Sequence, residues 1–174
     1  MEDLRYPIGR LVIRNTLDEA ERAAGIEALA EAPAKLEVAL RGLDDSQLDT
    51  PYRPDGWTVR QLVHHLADSH INSYTRIRLA LTEEEPTIRP YDEKAWAELD
   101  DSRNAPVEPS LSILRGLHYR MVRLFRCLGP ADFARKMHHP EVGPLTLDGI
   151  VWMYSWHSRH HVAHITRLRE RQGW

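Results

Sequence analysis

Helix-start signals, rather than strand alternation, govern this chain of 174 residues. Thr58-Val59-Arg60-Gln61 is a capping box, a hydroxyl paired with an amide three residues on, and the apolar period behind it predicts a helix to about Thr82. Thr16-Leu17-Asp18-Glu19 reads as another, opening a helix to about Gly42 with Pro33 inside it as a kink. Ser110 is expected to cap a third helix ending before Gly129-Pro130. Thr146 with Asp148 opens a fourth, which runs to about Arg171 and stops at Gly173. Between these segments only His138 to Leu145 could hold a short irregular strand. The pattern predicts an all-α four-helix bundle, one domain over residues 1–174. The stretch from Thr82 to Pro109, with Pro86, Pro90 and Pro106 inside it, is a long loop between the second and third helices. A short helical turn is expected near Asp92 to Leu99 within it, and loops of such length are usually functional or cross the bundle.

Composition narrows the function classes. A formal net charge of −3 gives no basic footprint for nucleic acid. The lone Cys127 excludes an internal disulfide framework and any cysteine-based zinc ribbon, and in Leu124-Phe125-Arg126-Cys127-Leu128 it reads as a small core residue. Met1 to Pro7 lacks an apolar leader core, and no run of 18 apolar residues occurs, so neither membrane nor export is expected and the location is expected to be cytoplasmic.

Ten histidines are the unusual feature. His64, His65 and His70 lie on the second predicted helix, and His157, His160, His161 and His164 on the fourth. Neutral imidazole is the commonest side-chain ligand for zinc, nickel and iron, and two at i, i+4 face the same way. The fourth helix offers His157/His161 and His160/His164. At about 100° per residue, His161 falls in the aliphatic stripe with Leu147, Ile150, Val151, Tyr154, Ile165 and Leu168, and reads as a core residue. His157, His160 and His164 lie within about 60° of one another on the neighbouring face, which favours His160/His164 with His157 beside them. On the second helix the same geometry puts His70 at the centre of the core face and does not separate His64 from His65. The fourth helix lacks the glutamate of HExxH, which argues against a zincin-type protease.

Longer motifs carry a resemblance. Asp49-Thr50-Pro51-Tyr52-Arg53-Pro54-Asp55-Gly56-Trp57-Thr58-Val59-Arg60-Gln61, followed by His64-His65-Leu66-Ala67-Asp68-Ser69-His70, resembles the YfiT-like branch of the DinB superfamily. Tyr6-Pro7-Ile8-Gly9, Arg89-Pro90-Tyr91-Asp92-Glu93-Lys94-Ala95-Trp96 and the segment from Trp156 to Thr166 extend it over nearly the whole chain. The resemblance implies a four-helix bundle, commonly homodimeric, that binds one divalent metal (zinc or nickel) through three histidines. It places the ligands at His65, immediately before Leu-Ala-Asp, and at His160 and His164. Arg159 stands where close relatives are expected to carry a further histidine. Its chemistry implies an enzyme that activates a low-molecular-weight thiol of the bacillithiol type for S-transfer to electrophiles, or else a metal-dependent hydrolase acting on a small molecule.

Supporting roles follow as expectations. Asp68 could orient an imidazole, although a solvated helix face is the plainer reading, and His157 could act as a base or brace a ligand. Arg89, Tyr91, Asp92 and Lys94 in the long loop could bind the carboxylates of a polar thiol. Trp152 and Trp156 read as packing or interface residues. Outside enzymology, the bundle could be an interaction module in which a closed four-ligand metal site pins two helices together.

Overall fold

A computed structural model describes residues 3–174; Met1 and Glu2, which open the predicted leaderless start and the predicted domain, lie outside it. Its four long helices are α1 (Glu19–Leu40), α3 (Val59–Thr82), α6 (Glu108–Phe125) and α8 (Leu147–Gln172). Short helices α2 (Asp45–Leu48), α4 (Glu93–Ala97), α5 (Asp100–Asn104) and α7 (Pro130–Phe133) sit in the connections, and β1 (Lys136–His139) pairs antiparallel with β2 (Gly143–Thr146). The hairpin turns the predicted irregular strand into two, held by the buried Met137 opposite Leu145. Around the bundle α1 packs on α6 and α8, and α3 packs on the same two. The first two long helices therefore face each other across the diagonal, and the connection through α2 crosses the bundle end. No helix among the described residues is long and apolar enough to cross a membrane.

Helix starts follow local chemistry, with two shifts. Thr58 and Gln61 close the expected box on α3, and Thr146 caps α8, which ends at Gly173 with φ 73°. For α1 the box is Asp18 with Glu21, two residues beyond the expected Thr16. Leu17 is buried there and its N–H donates to Asp148, which holds the chain extended past Thr16. Helix α6 starts at Glu108 rather than after Ser110, because Pro109 needs no N–H in the first turn and the Ser110 hydroxyl is 2.8 Å from His64 Nδ1. Cys127 lies just past α6 and is exposed, not a core residue. Arg22 ties α1 to the first turn of α8 through Asp148 at 2.6 Å. Gly25 lets the same helices approach, since a Cβ there would stand 2.6 Å from Val151 Cγ1.

The apolar core is divided in two. One cluster gathers Leu29, Tyr74, Ile77, Met121 and Val151; the other gathers Leu36, Val63, Leu66, Leu114 and Ile165. Between them every long helix changes character, at Pro33 on α1, Ser69-His70 on α3, His118 on α6 and His157 to His164 on α8. A polar layer through the middle of a bundle costs stability unless its groups pair.

Candidate metal centre

Three imidazoles from two helices converge in this layer. His157 Nε2 on α8 lies 3.3 Å from His65 Nε2 on α3 and 3.1 Å from His161 Nε2 one turn along α8. The ligand atoms of these three residues all lie within 4.8 Å of one another. An ion bonded to nitrogen at about 2.0–2.1 Å separates its ligands by about 3.3–3.4 Å in a tetrahedron and about 3.0 Å at an octahedral right angle. The spacing fits a divalent ion of the zinc or nickel kind. Desolvation lowers all three pKa values, to about 4 for His65 and well below the usual imidazole range for His157 and His161. Each is therefore neutral at pH 7, the form that binds metal.

A second convergence lies beside it. His160 Nε2 and His164 Nε2 are 3.0 Å apart, and with His161 they form another group whose ligand atoms lie within 4.8 Å. Trp156 stacks on His160 at 4.3 Å and Tyr52 tilts over His164 at 4.1 Å. Burial lowers His160 to about 4 and His164 to about 3.

The expected trio of His65, His160 and His164 is thus not the one the fold brings together. His65 meets His157 and His161, while His160 and His164 meet each other and His161. The reason lies in the phase of α8. His161 falls in the aliphatic stripe, as a core residue does, but the convergence point is itself inside the core, so that stripe carries His161 to it. On α3, His65 is the histidine that joins this group. His64 turns away to Ser110 and the Ala105 carbonyl, and His70 lies deeper, against His157 Nδ1 at 3.2 Å.

A cavity of about 780 Å³ opens over the centre, bordered by His65, His157, His160 and His161. Trp57 covers His65 at 4.6 Å; Tyr52, Arg53, Gln61 and Trp156 complete the wall, with Glu93, Lys94 and Glu98 at the rim. Of the four loop residues expected here, only Lys94 borders the cavity. Asp92 caps α4 through the Lys94 and Ala95 N–H groups, Tyr91 packs on Trp96 at 4.5 Å, and Arg89 is exposed with its carbonyl accepting from Arg76. Asp68 is half-buried, raised to about 6 by desolvation and then by Asp101, and forms no hydrogen bond to the histidine rings. Trp57 and Arg53 lay within the recognised motif, yet no spacing rule marked them as site residues.

The family model of the DinB superfamily matches residues 28–165. The chain belongs to the DinB superfamily. Two relatives show how closely the DinB fold and sequence are shared. YfiT of Bacillus subtilis, whose name carries a proposed metal-dependent hydrolase activity, is 52% identical over 99% of this chain and 97% of its own length. A Bacillus mycoides protein of similar name is 51% identical over the full length of both. The solved YfiT structure superposes with a TM-score of 0.96, covering 99% of each chain, and is described as a four-helix bundle of unusual topology. The diagonal placement of α1 and α3 is such a departure from the simple up-and-down bundle.

Proposed function

We propose that the chain is a metal-dependent enzyme whose His65, His157 and His161 hold one divalent ion, zinc or nickel, at the floor of the cavity. The convergence of three neutral imidazoles from α3 and α8 beneath an open cavity carries this reading. Three protein ligands leave coordination positions free, as catalytic sites do, whereas a structural site closes with four. His160, the nearest fourth candidate, directs its Nε2 to His164 instead, which argues against the interaction-module reading. Bound there, the ion would act as a Lewis acid, easing proton loss from water or a thiol and polarising a substrate carbonyl. Trp57 and Trp156 shield the imidazoles from bulk water, and Arg53, Lys94, Glu93 and Glu98 offer both charge signs to an incoming molecule.

That mixed rim suits a zwitterionic co-substrate with carboxylates and an amine, which supports S-transfer from a bacillithiol-type thiol. The relatives' names support the second reading, hydrolysis of a small molecule. The two separate in one assay. Zinc- or nickel-loaded protein is incubated with monochlorobimane, with and without bacillithiol, beside a panel of esters and amides. Metal-dependent consumption of the free thiol supports transfer. Metal-dependent ester or amide cleavage with no thiol effect replaces it with hydrolysis.

A further inference from the structure

His157 uses both ring nitrogens, and what lies behind it fixes which one carries the proton. His157 Nδ1 is 3.2 Å from His70 Nε2, His70 Nδ1 is 2.8 Å from His118 Nε2, and His118 Nδ1 is 2.7 Å from the Leu29 carbonyl oxygen. A carbonyl only accepts, so the His118 proton sits on Nδ1. With one proton per ring, His118 Nε2 accepts and His70 carries its proton on Nδ1. The same step places the His157 proton on Nδ1, leaving Nε2 with a bare lone pair toward His65 and His161. The row crosses all four long helices, from α1 through α6 and α3 to α8.

Its far end is freed by a proline. In an uninterrupted helix the Leu29 carbonyl accepts from the N–H four residues on, but residue 33 is Pro33, which has none. The carbonyl is left for His118, and the buried break in α1 becomes an anchor rather than a defect.

We infer that Pro33, the Leu29 carbonyl, His118 and His70 form a positioning relay that locks His157 in its Nδ1–H tautomer and so aims Nε2 into the centre. None of the four would touch an ion bound by His65, His157 and His161. The consequence for metal binding rests on His157 being a ligand; the tautomer itself does not. Outer partners of this kind orient a ligating imidazole, and their loss typically weakens metal binding by roughly 10–100-fold.

The test uses metal-free chain labelled with ¹⁵N-histidine, in which two-bond ¹⁵N–¹H correlations report the protonated nitrogen of each ring. The expected result is Nδ1–H at His118, His70 and His157. In His118→Leu the His157 signal should become a tautomer mixture, and zinc affinity in chelator competition should fall roughly 10–100-fold. His118→Gln, whose amide can donate to the Leu29 carbonyl and accept from His70, should recover most of both. Should His118→Leu not fold, Pro33→Ala returns a rival donor to the carbonyl and should move the His118 Nδ1 proton resonance. A His157 carrying its proton on Nε2 in the unaltered chain, or a His157 signal untouched by His118→Leu, overturns the relay. A relay seen in the spectra of a chain that takes up no zinc upholds the inference and removes the metal reading instead.

Discussion

Two groups of histidines that meet at α8 look alike by distance and differ in what stands behind them. The His65/His157/His161 group and the His160/His164 pair both bring Nε2 atoms to 3.0–3.3 Å. His157 is half-buried, the other four rings are buried, and desolvation holds all five neutral. The first draws on two helices, and its central ring is tied from behind through His70 and His118 to a backbone carbonyl. The second comes from one helix turn and is clasped by Trp156 and Tyr52; each group holds one buried ring nitrogen without a partner, His161 Nδ1 in the first and His160 Nδ1 in the second. Convergence alone does not make a ligand set. A braced imidazole is preorganised for an ion, and a stacked one is packed as a wall.

The contrast is sharpest in metal content. Elemental analysis of untagged protein should find about one equivalent of zinc or nickel, lost in His65→Ala, His157→Ala and His161→Ala and kept in His164→Ala. Loss from His164→Ala with retention in His157→Ala would exchange the roles of the two groups. Acid should reveal the neutral histidines next. Below an unfolded pKa of about 6.5 the unfolded chain takes up protons that the folded rings refuse until about 4. The stabilisation is therefore present above pH 6.5 and lost as pH falls toward 4. Each such ring should remove about 1.4 kcal/mol per pH unit in urea titrations of metal-free chain. A flat stability profile across that window would show the rings to be solvated.

Smaller effects distinguish wall from centre. His164→Ala, which removes a ring packed on Tyr52, should cost about 1–3 kcal/mol of stability by chemical denaturation while metal stoichiometry stays at one. Pro33→Ala should weaken zinc binding by less than the roughly 10-fold lower bound for losing an outer partner, because a carbonyl with two lone pairs can serve both donors. Equal zinc affinity in Pro33→Ala and the unaltered chain would restrict the proline to shaping α1.

Local chemistry was written in the chain. The box at Thr58, the cap at Thr146, the stop at Gly173 and the proline-rich passage after Thr82 predict α3, α8 and the long connection where they stand. Those features act within a turn or two, so their residues suffice to read them. The motif around His65 likewise singled out one member of the convergent group. Even at this range neighbouring signals compete, as Asp18 with Glu21 prevailing over Thr16 shows.

Which histidines meet was decided elsewhere. Helix phase gives the direction of a side chain relative to its own axis, but not which neighbour lies there or whether that neighbour is apolar. Phase alone points His161 and His70 inward, and both are buried; what only packing supplies is that the core at that level is a ring of imidazoles. The brace on His157 joins residues 29, 70, 118 and 157, separated along the chain by tens of positions and brought within hydrogen-bond reach by the diagonal topology alone. Sequence by itself determined the helices and supplied the histidines. Tertiary structure brought three of them together, because only the assembled bundle could join residues so far apart along the chain and draw their rings out of water.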